Sequence, residues 1–274
     1  MLQSENASSA DNQQETCQQA GILRDYTSNT IDFSSELIEL IAMLYTDGGL
    51  SRHGVDSWRI YFANSSLTAI RLFVDRMSTI FKIASERIQV KKRYRIHYLA
   101  RVTSKEIGRY LADTFGTFRT LKFDNGDYPP AQLPIDKIIE NNLTGIFLRV
   151  VFSMDGGVKF YAGKEKNGKR SLRKNVSLAC HHPVLRKQYC YLLQHLGINV
   201  ANIERDNVIR IQGENEVRTF AEKVGFIKGI KVTHHSRYWV GKEKNEVLKL
   251  MLESYDNPSY FLEMLSGNDI VRTA

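Results

Sequence analysis

Cysteine, proline and long apolar runs are all scarce in this sequence of 274 residues, and each shortage narrows what it can be. The three cysteines, Cys17, Cys180 and Cys190, are an odd number with no Cys-x-x-Cys spacing. That argues against a disulfide framework and a thiolate zinc site, and it points to a reducing intracellular compartment, whether cytoplasm, nucleoid or organelle matrix. No run reaches the roughly 18 apolar residues of a membrane-spanning helix, and the N-terminus lacks the basic and apolar regions of a secretory leader. Of the five prolines, Pro129, Pro130 and Pro134 fall together among polar and glycine residues, which marks 119–136 as a linker. Acidic residues are also outnumbered, 30 against 38 basic ones, for a net charge of +8.

The charge is unevenly spread. Residues 1–33 are rich in Ser, Asn and Gln, show little apolar periodicity and carry a balance of −4, so they are expected to be a disordered tail until about Ile31. The other 241 residues therefore carry +12, which suits an anionic partner such as nucleic acid. With 42% hydrophobic residues they are also long enough for one compact, two-lobed core.

Within this folded region a pair of apolar stretches end alike, LIELIAMLYTDGGL at 37–50 and LTGIFLRVVFSMDGGV at 143–158. Either Asp-Gly alone reads as a hairpin turn. Two copies, each closing an apolar stretch of about three turns, read instead as helices that end in Asp47 and Asp155 and are stopped by a left-handed glycine. A carboxylate at the negative end of a helix costs about 0.3–1 kcal/mol, so its duplication predicts a bound cation.

The segments after the two copies are also alike: two strands, an amphipathic helix, more strand, another helix. Ile60 aligns with Val176, Phe62 with Leu178, Met77 with Leu193, Ile80 with Leu196, Ile107 with Val217 and Tyr110 with Phe220. Drifting offsets between these pairs are the mark of loops that changed length after an internal duplication.

The strands alternate. Read as one strand, QVKKRYRIHYLARV at 89–102 puts Lys91, Arg93, Arg95 and His97 on one face and Lys92, Tyr94, Ile96 and Tyr98 on the other. Arg59 and Tyr61 alternate with Trp58, Ile60 and Phe62, Lys159 and Tyr161 flank Phe160, and Arg173, Asn175 and Ser177 alternate with Val176 and Leu178. Arg52 joins this basic set, as do Lys164 and Arg170 in the segment GKEKNGKRSLRKN at 163–175, where Asn167-Gly168 reads as a two-residue hairpin turn. A sheet with an apolar face and an Arg/Lys/Tyr/His face packs helices behind it and presents the polar face to a major groove. Arg59, Arg93, Arg95 and Arg173 are expected to include base readers, and lysines to meet phosphate.

From about residue 34 to 240 these features resemble the LAGLIDADG homing endonucleases in their single-chain form with two motif copies. LPIDKIIENNLTGIFLRVVFSMDGGV at 133–158 is similar to the second motif with its lead-in, and RVTSKE at 101–106 to a first-half signature. The resemblance implies an α+β fold of two pseudo-symmetric αββαββα half-domains, 34–118 and 137–240. Their motif helices pair at the interface beneath a saddle-shaped antiparallel DNA-binding sheet, and a C-terminal helix and tail at 241–274 act as a brace.

It implies further that Asp47 and Asp155 bind Mg²⁺ or another divalent cation such as Mn²⁺, and that a monomer cuts both strands of a long asymmetric double-stranded DNA. Mobility of a host intron or intein is implied by the same likeness. Alternatives are an intron RNA maturase and a sequence-specific DNA-binding protein without activity. Five residues before each aspartate the family has glycine, where this chain has Ala42 and Val150, and Val150 predicts a helix pair spread or tilted. Asn64 falls at the end of the second strand, where similar enzymes carry Gln or Asn, and reads equally as a strand-to-helix cap with Ser65 and Ser66. Cys180, aligned with Asn64, and His181 stand near the same place in the second half. Lys159 reads either as a group stabilising charge at the cut or as a phosphate anchor. The adjacent pairs His181-His182 and His234-His235 read as polar surface, because neighbours on an extended chain point apart.

Overall fold

A computed structural model describes residues 31–267 apart from 94–96, 117, 132, 234, 235 and 237. Most of the expected disordered tail, with Cys17, lies outside the described residues, as do Arg95, His234 and His235. Helix α1 (Ser35–Thr46) opens where the Ser34 hydroxyl accepts the Leu37 N–H. Almost every side chain from Leu37 to Tyr45 is buried, which fits a helix apolar nearly all round and lying at the centre of the molecule.

Strands β1 (Gly48–His53) and β2 (Ser57–Asn64), helix α2 (Leu67–Phe81), strands β3 (Gln89–Arg93) and β4 (His97–Ser104) and helix α3 (Lys105–Phe115) come next. After α4 (Ile135–Glu140) the same order returns as α5 (Thr144–Met154), β5 (Gly156–Lys164), β6 (Arg170–Ala179), α6 (Pro183–His195), β7 (Ala201–Ile203), β8 (Val208–Ile211) and α7 (Glu214–Lys223). The αββαββα order is thus present twice. Two helices, α8 (Lys244–Asp256) and α9 (Pro258–Gly267), end the described chain.

Each half holds one antiparallel four-stranded sheet, ordered β1-β2-β4-β3 and β5-β6-β8-β7. Their registers agree with the sequence alignment: Gly48 faces Phe62 as Gly156 faces Leu178, and Leu50 faces Ile60 as Val158 faces Val176. One face of each sheet is apolar. Ile60, Phe62, Ala100 and Val102 in the first, and Phe160, Val176, Leu178, Ile209 and Ile211 in the second, are buried in a single core with α1 and α5. The linker contributes to this core too, through Ala131 and Leu133, and the buried His182 ring lies 2.8 Å from the Pro129 carbonyl oxygen.

Two local expectations change. Residues 89–102 form a hairpin and not one strand, for Arg93 pairs with His97 across it. All of β3 is exposed because it is the sheet's outer edge, where a Lys-Lys-Arg run guards against pairing with another chain. No Asn-Gly or Asp-Gly marks that reversal in the sequence. Between β5 and β6 the turn has three residues, with the Gly168 N–H on the Glu165 carbonyl and the Glu165 N–H on the Lys169 carbonyl. Only Gly168, at φ 81°, is left-handed there, so the turn carries a glycine bulge in place of the paired left-handed residues of a two-residue Asn-Gly turn.

Candidate active site

Both motif helices end at their aspartates, Asp47 at φ −99° and ψ 10° and Asp155 at φ −96° and ψ −8°. The glycines after them are not left-handed stops, since none of Gly48, Gly49, Gly156 and Gly157 has a positive φ. They begin β1 and β5, and the reason for two of them is space. A Cβ on Gly48 would lie 2.9 Å from the Leu44 Cα and from the Tyr61 carbonyl, and one on Gly156 would lie 2.6 Å from the Phe152 carbonyl. The strand doubles back against the last helical turn, and that contact fixes where the aspartate points. Gly156→Ala is expected to lower stability by about 1–3 kcal/mol through this overpacking. Thermal unfolding tests it, and an unchanged midpoint would show that the backbone yields freely.

The two helices pack against each other with Ala42 and Val150 fully buried. Val150 does not keep the carboxylates from feeling one another. Asp155 is pushed up to about 7, first by burial and then by the charge of Asp47, against the opposing charge of Lys244. Asp47 is raised as well, by burial, while the hydrogen bond from Asn64 and the charges of Lys244 and His97 act the other way.

The halves support their aspartates differently. Asn64 fills both roles the sequence left open: its Nδ2 donates to Asp47 Oδ2 at 2.6 Å, and its Oδ1 accepts the Ser66 N–H at 2.7 Å. Ser66 in turn accepts the Ala69 N–H and starts α2. Cys180, at the equivalent position, donates no such bond to Asp155. Its thiol reaches the His182 carbonyl at 3.5 Å and is pushed up to about 12, mainly by burial. The adjacent pair His181-His182 points apart, but only His181 is the surface residue expected of both: His182 is buried and caps α6 by accepting the Leu185 N–H.

The second half has instead a residue that sequence reasoning missed. Lys244, at the start of α8, is only 6% exposed, and its Nζ donates to the Gly156 carbonyl at 2.6 Å and the Ser153 carbonyl at 2.7 Å, with Phe152 at 3.5 Å. The terminal region is therefore more than a brace, since it places a cation at the foot of α5. In the sequence Lys244 is one of many lysines and has no counterpart in the first half, so neither the motif nor the repeat could single it out.

These donors fit Mg²⁺ or Mn²⁺. Among the described residues no three His, Cys, Asp or Glu side chains cluster as a metal cage. Two carboxylates raised by desolvation, with Asp155 raised further by the charge of Asp47, are a donor set that a hard dication satisfies, and Mg²⁺ characteristically takes one or two carboxylates along with water and phosphate oxygens.

Register sorts the basic residues by face. On the open face of the first sheet stand Arg59, Tyr61, Lys91, Arg93 and His97, joined by Arg101, whose Nε donates to Gln89 at 3.1 Å. Arg59 lies 2.9 Å from His53 Nδ1, and these residues line a groove of about 550 Å³ with Gln89 and Arg101. On the second sheet Lys159, Tyr161, Arg173 and Asn175 share the open face with Arg210. Lys159 and Tyr161 also line a cavity of about 720 Å³ together with Asp155, Trp239 and Lys244.

Arg101 and Arg210 are equivalent positions that sequence reasoning missed, although the aligned β4 and β8 strands held the signal. Three expected members do not join this face. Arg52 is in register with Trp58 on the helix side and stacks over its ring at 4.5 Å. Lys164 and Arg170 pair with each other on the apolar side of the second sheet, where Arg170 donates to the Ser266 carbonyl in α9. An odd or even place in the strand decides the face, and these three fall on the wrong count.

No protein-family profile and no curated protein matches the sequence. Among solved structures, I-SmaMI, a LAGLIDADG homing endonuclease bound to cleaved DNA, matches at TM-score 0.50 and 10% identity, over 86% of this chain and 94% of its own. I-WcaI, bound to its DNA recognition sequence, matches at 0.47 and 15% over 76% and 89%. A set of mesophilic variants of I-DmoI matches at 0.47 and 15% over 70% and 97%. The likeness to I-SmaMI is one of fold: two half-domains, each with one antiparallel sheet.

Proposed function

We propose, from the LAGLIDADG fold that this chain shares with I-SmaMI, that the protein is a site-specific endonuclease of double-stranded DNA. The observation that carries the reading is the pair of aspartates at the feet of two packed helices, each pushed toward its protonated form, Asp47 by desolvation and Asp155 by desolvation and by the charge of Asp47. I-SmaMI was seen with cleaved DNA, which agrees with the same use of the fold here.

Asp47 and Asp155 are the residues that would hold a divalent metal, Mg²⁺ or Mn²⁺. The bound ion supplies Lewis acidity at phosphorus and an activated water. The chain does the rest. Asn64 fixes the rotamer of Asp47, and the strand that doubles back at Gly156 fixes Asp155. Lys159, exposed on β5 near Asp155, meets phosphate close to the cut. The open faces of both sheets lie along the duplex, with arginines reading guanine edges and lysines meeting the backbone. Because the halves differ at nearly every open-face position, the target is asymmetric, and because one chain supplies both halves, the working unit is a monomer.

A DNA-binding protein without activity is the weaker reading, since two carboxylates opposed by one ammonium leave a net negative charge facing phosphate, which only weakens binding. The test is selection of cleaved DNA from a long randomised duplex library with Mg²⁺. Recovery of one long asymmetric sequence supports the endonuclease, and sequence-specific retention with no cutting overturns it. Arg93→Ala or Arg101→Ala is expected to weaken binding by about 1–3 kcal/mol and relax choice at one base pair, while Arg52→Ala leaves base preference unchanged. Binding profiles over single-base target variants separate the two. A uniform loss over all sequences would make the arginines phosphate contacts only.

A further inference from the structure

One ionised group in the site belongs to neither motif. The Lys244 ammonium is enclosed by the last carbonyls of α5 and the first residue of β5. These are the acceptors left over at a helix C-terminus, where the dipole is negative and a cation is stabilised. The corresponding end of α1 has no lysine, and there the Thr46 hydroxyl turns back onto Ala42 and Met43 within its own helix. Lys244 also acts on both carboxylates through space. With both aspartates ionised the buried site carries two negative charges and one positive. A dication entering this site meets one net negative charge, and a second dication meets repulsion. Two scissile phosphates would restore two negative charges.

We propose that Lys244 is the resident counter-ion of the site: it compensates the paired aspartates in the metal-free protein, keeps the free chain's affinity for divalent metal low, and so ties metal loading to the arrival of DNA phosphates. The inference deepens the endonuclease reading and rests on it for the role of the phosphates. It also makes the C-terminal helix a regulator of the site that two unlike halves share.

The test is Mn²⁺ binding by the full chain without DNA, measured by electron paramagnetic resonance and calorimetry at neutral pH. Lys244→Met is expected to bind Mn²⁺ at least ~10-fold more tightly than the parent, because the Lys244 ammonium lines the same cavity as Asp155 and acts on both carboxylates, and a unit charge weighs more there than in bulk water. Lys244→Gln, which keeps a donor for the carbonyls and loses the charge, carries the same expectation should the methionine variant fail to fold. Lys244→Arg, which keeps the charge, is expected to stay within a few-fold of the parent. The gain should vanish when Asp47→Asn and Asp155→Asn are added. Unchanged or weaker binding in folded Lys244→Gln overturns the proposal, as does a gain that survives loss of both aspartates. Micromolar Mn²⁺ binding by the free parent chain overturns it with no variant at all. Since neither DNA nor cleavage enters this measurement, its failure is distinct from failure of the endonuclease reading.

Discussion

Asp47→Asn and Asp155→Asn each stop double-strand cleavage, with a loss on the order of 10³-fold or more, while DNA affinity changes by no more than a few-fold. The size of the loss comes from the chemistry: a metal at a phosphate contributes several kcal/mol of transition-state stabilisation, and each 1.4 kcal/mol is tenfold in rate. An amide keeps the shape of the side chain and loses the charge that holds the dication. For Asp47 the neighbour is already in place, since Asn64 Nδ2 lies 2.6 Å from Oδ2 and has an acceptor in either side chain. Binding should persist because neither substitution removes any of the arginines and lysines on the open faces of the sheets. Gel assays of nicked and linear product, run beside a filter-binding titration, measure both quantities. Equal loss of binding in the two variants would show that these residues hold the fold together.

The paired aspartates, the repeat and the alternation of the strands were all legible in the sequence, because each is periodic or local. An αββαββα order seen twice needs only apolar spacing, and Ile60 with Val176 or Phe62 with Leu178 could be matched before any coordinates, as the identical registers of β1 with β2 and β5 with β6 attest. The features that were not legible depended on events between elements. No Asn-Gly or Asp-Gly lies between the paired Arg93 and His97, so a hairpin read as one strand, and the glycines after Asp47 and Asp155 looked like left-handed stops when their role is to admit a backbone at close contact. Arg52 was placed on the wrong face because charge alone does not count strand positions, and its guanidinium instead covers Trp58. Lys244 was invisible for a deeper reason. Its partners are main-chain carbonyls of Phe152, Ser153 and Gly156, and carbonyls have no signature in a sequence.

Without metal, replacing the essential carboxylate should make the protein more stable. Asp155 sits at about 7 in the fold, against about 3.9 for an aspartate in an unfolded chain. A carboxyl raised on folding contributes its full stability below about pH 4, and that contribution is lost as pH climbs through 7; because Asp155 is exposed, solvent screening reduces it to about 1–2 kcal/mol at pH 8. Asp155→Asn removes this loss. Some of the gain is given back because Asp155 is also the partner of Lys244, which burial holds down at about 8 and which Asp155 raises. Lys244 by itself runs the other way, its contribution being present above about pH 10.4 and lost as pH falls through 8. The net expectation is a variant more stable than the parent by about 0.5–2 kcal/mol in EDTA at pH 8, converging with it near pH 4. Urea unfolding at pH 4, 6 and 8 measures the difference directly. A gap that does not change with pH, or a variant less stable at pH 8, would show that Lys244 compensates Asp155 fully in the free protein and leaves no net charge for a dication to satisfy. A gap that opens with pH, and closes again when the parent is given Mg²⁺, ties the instability of the empty site to the chemistry it serves.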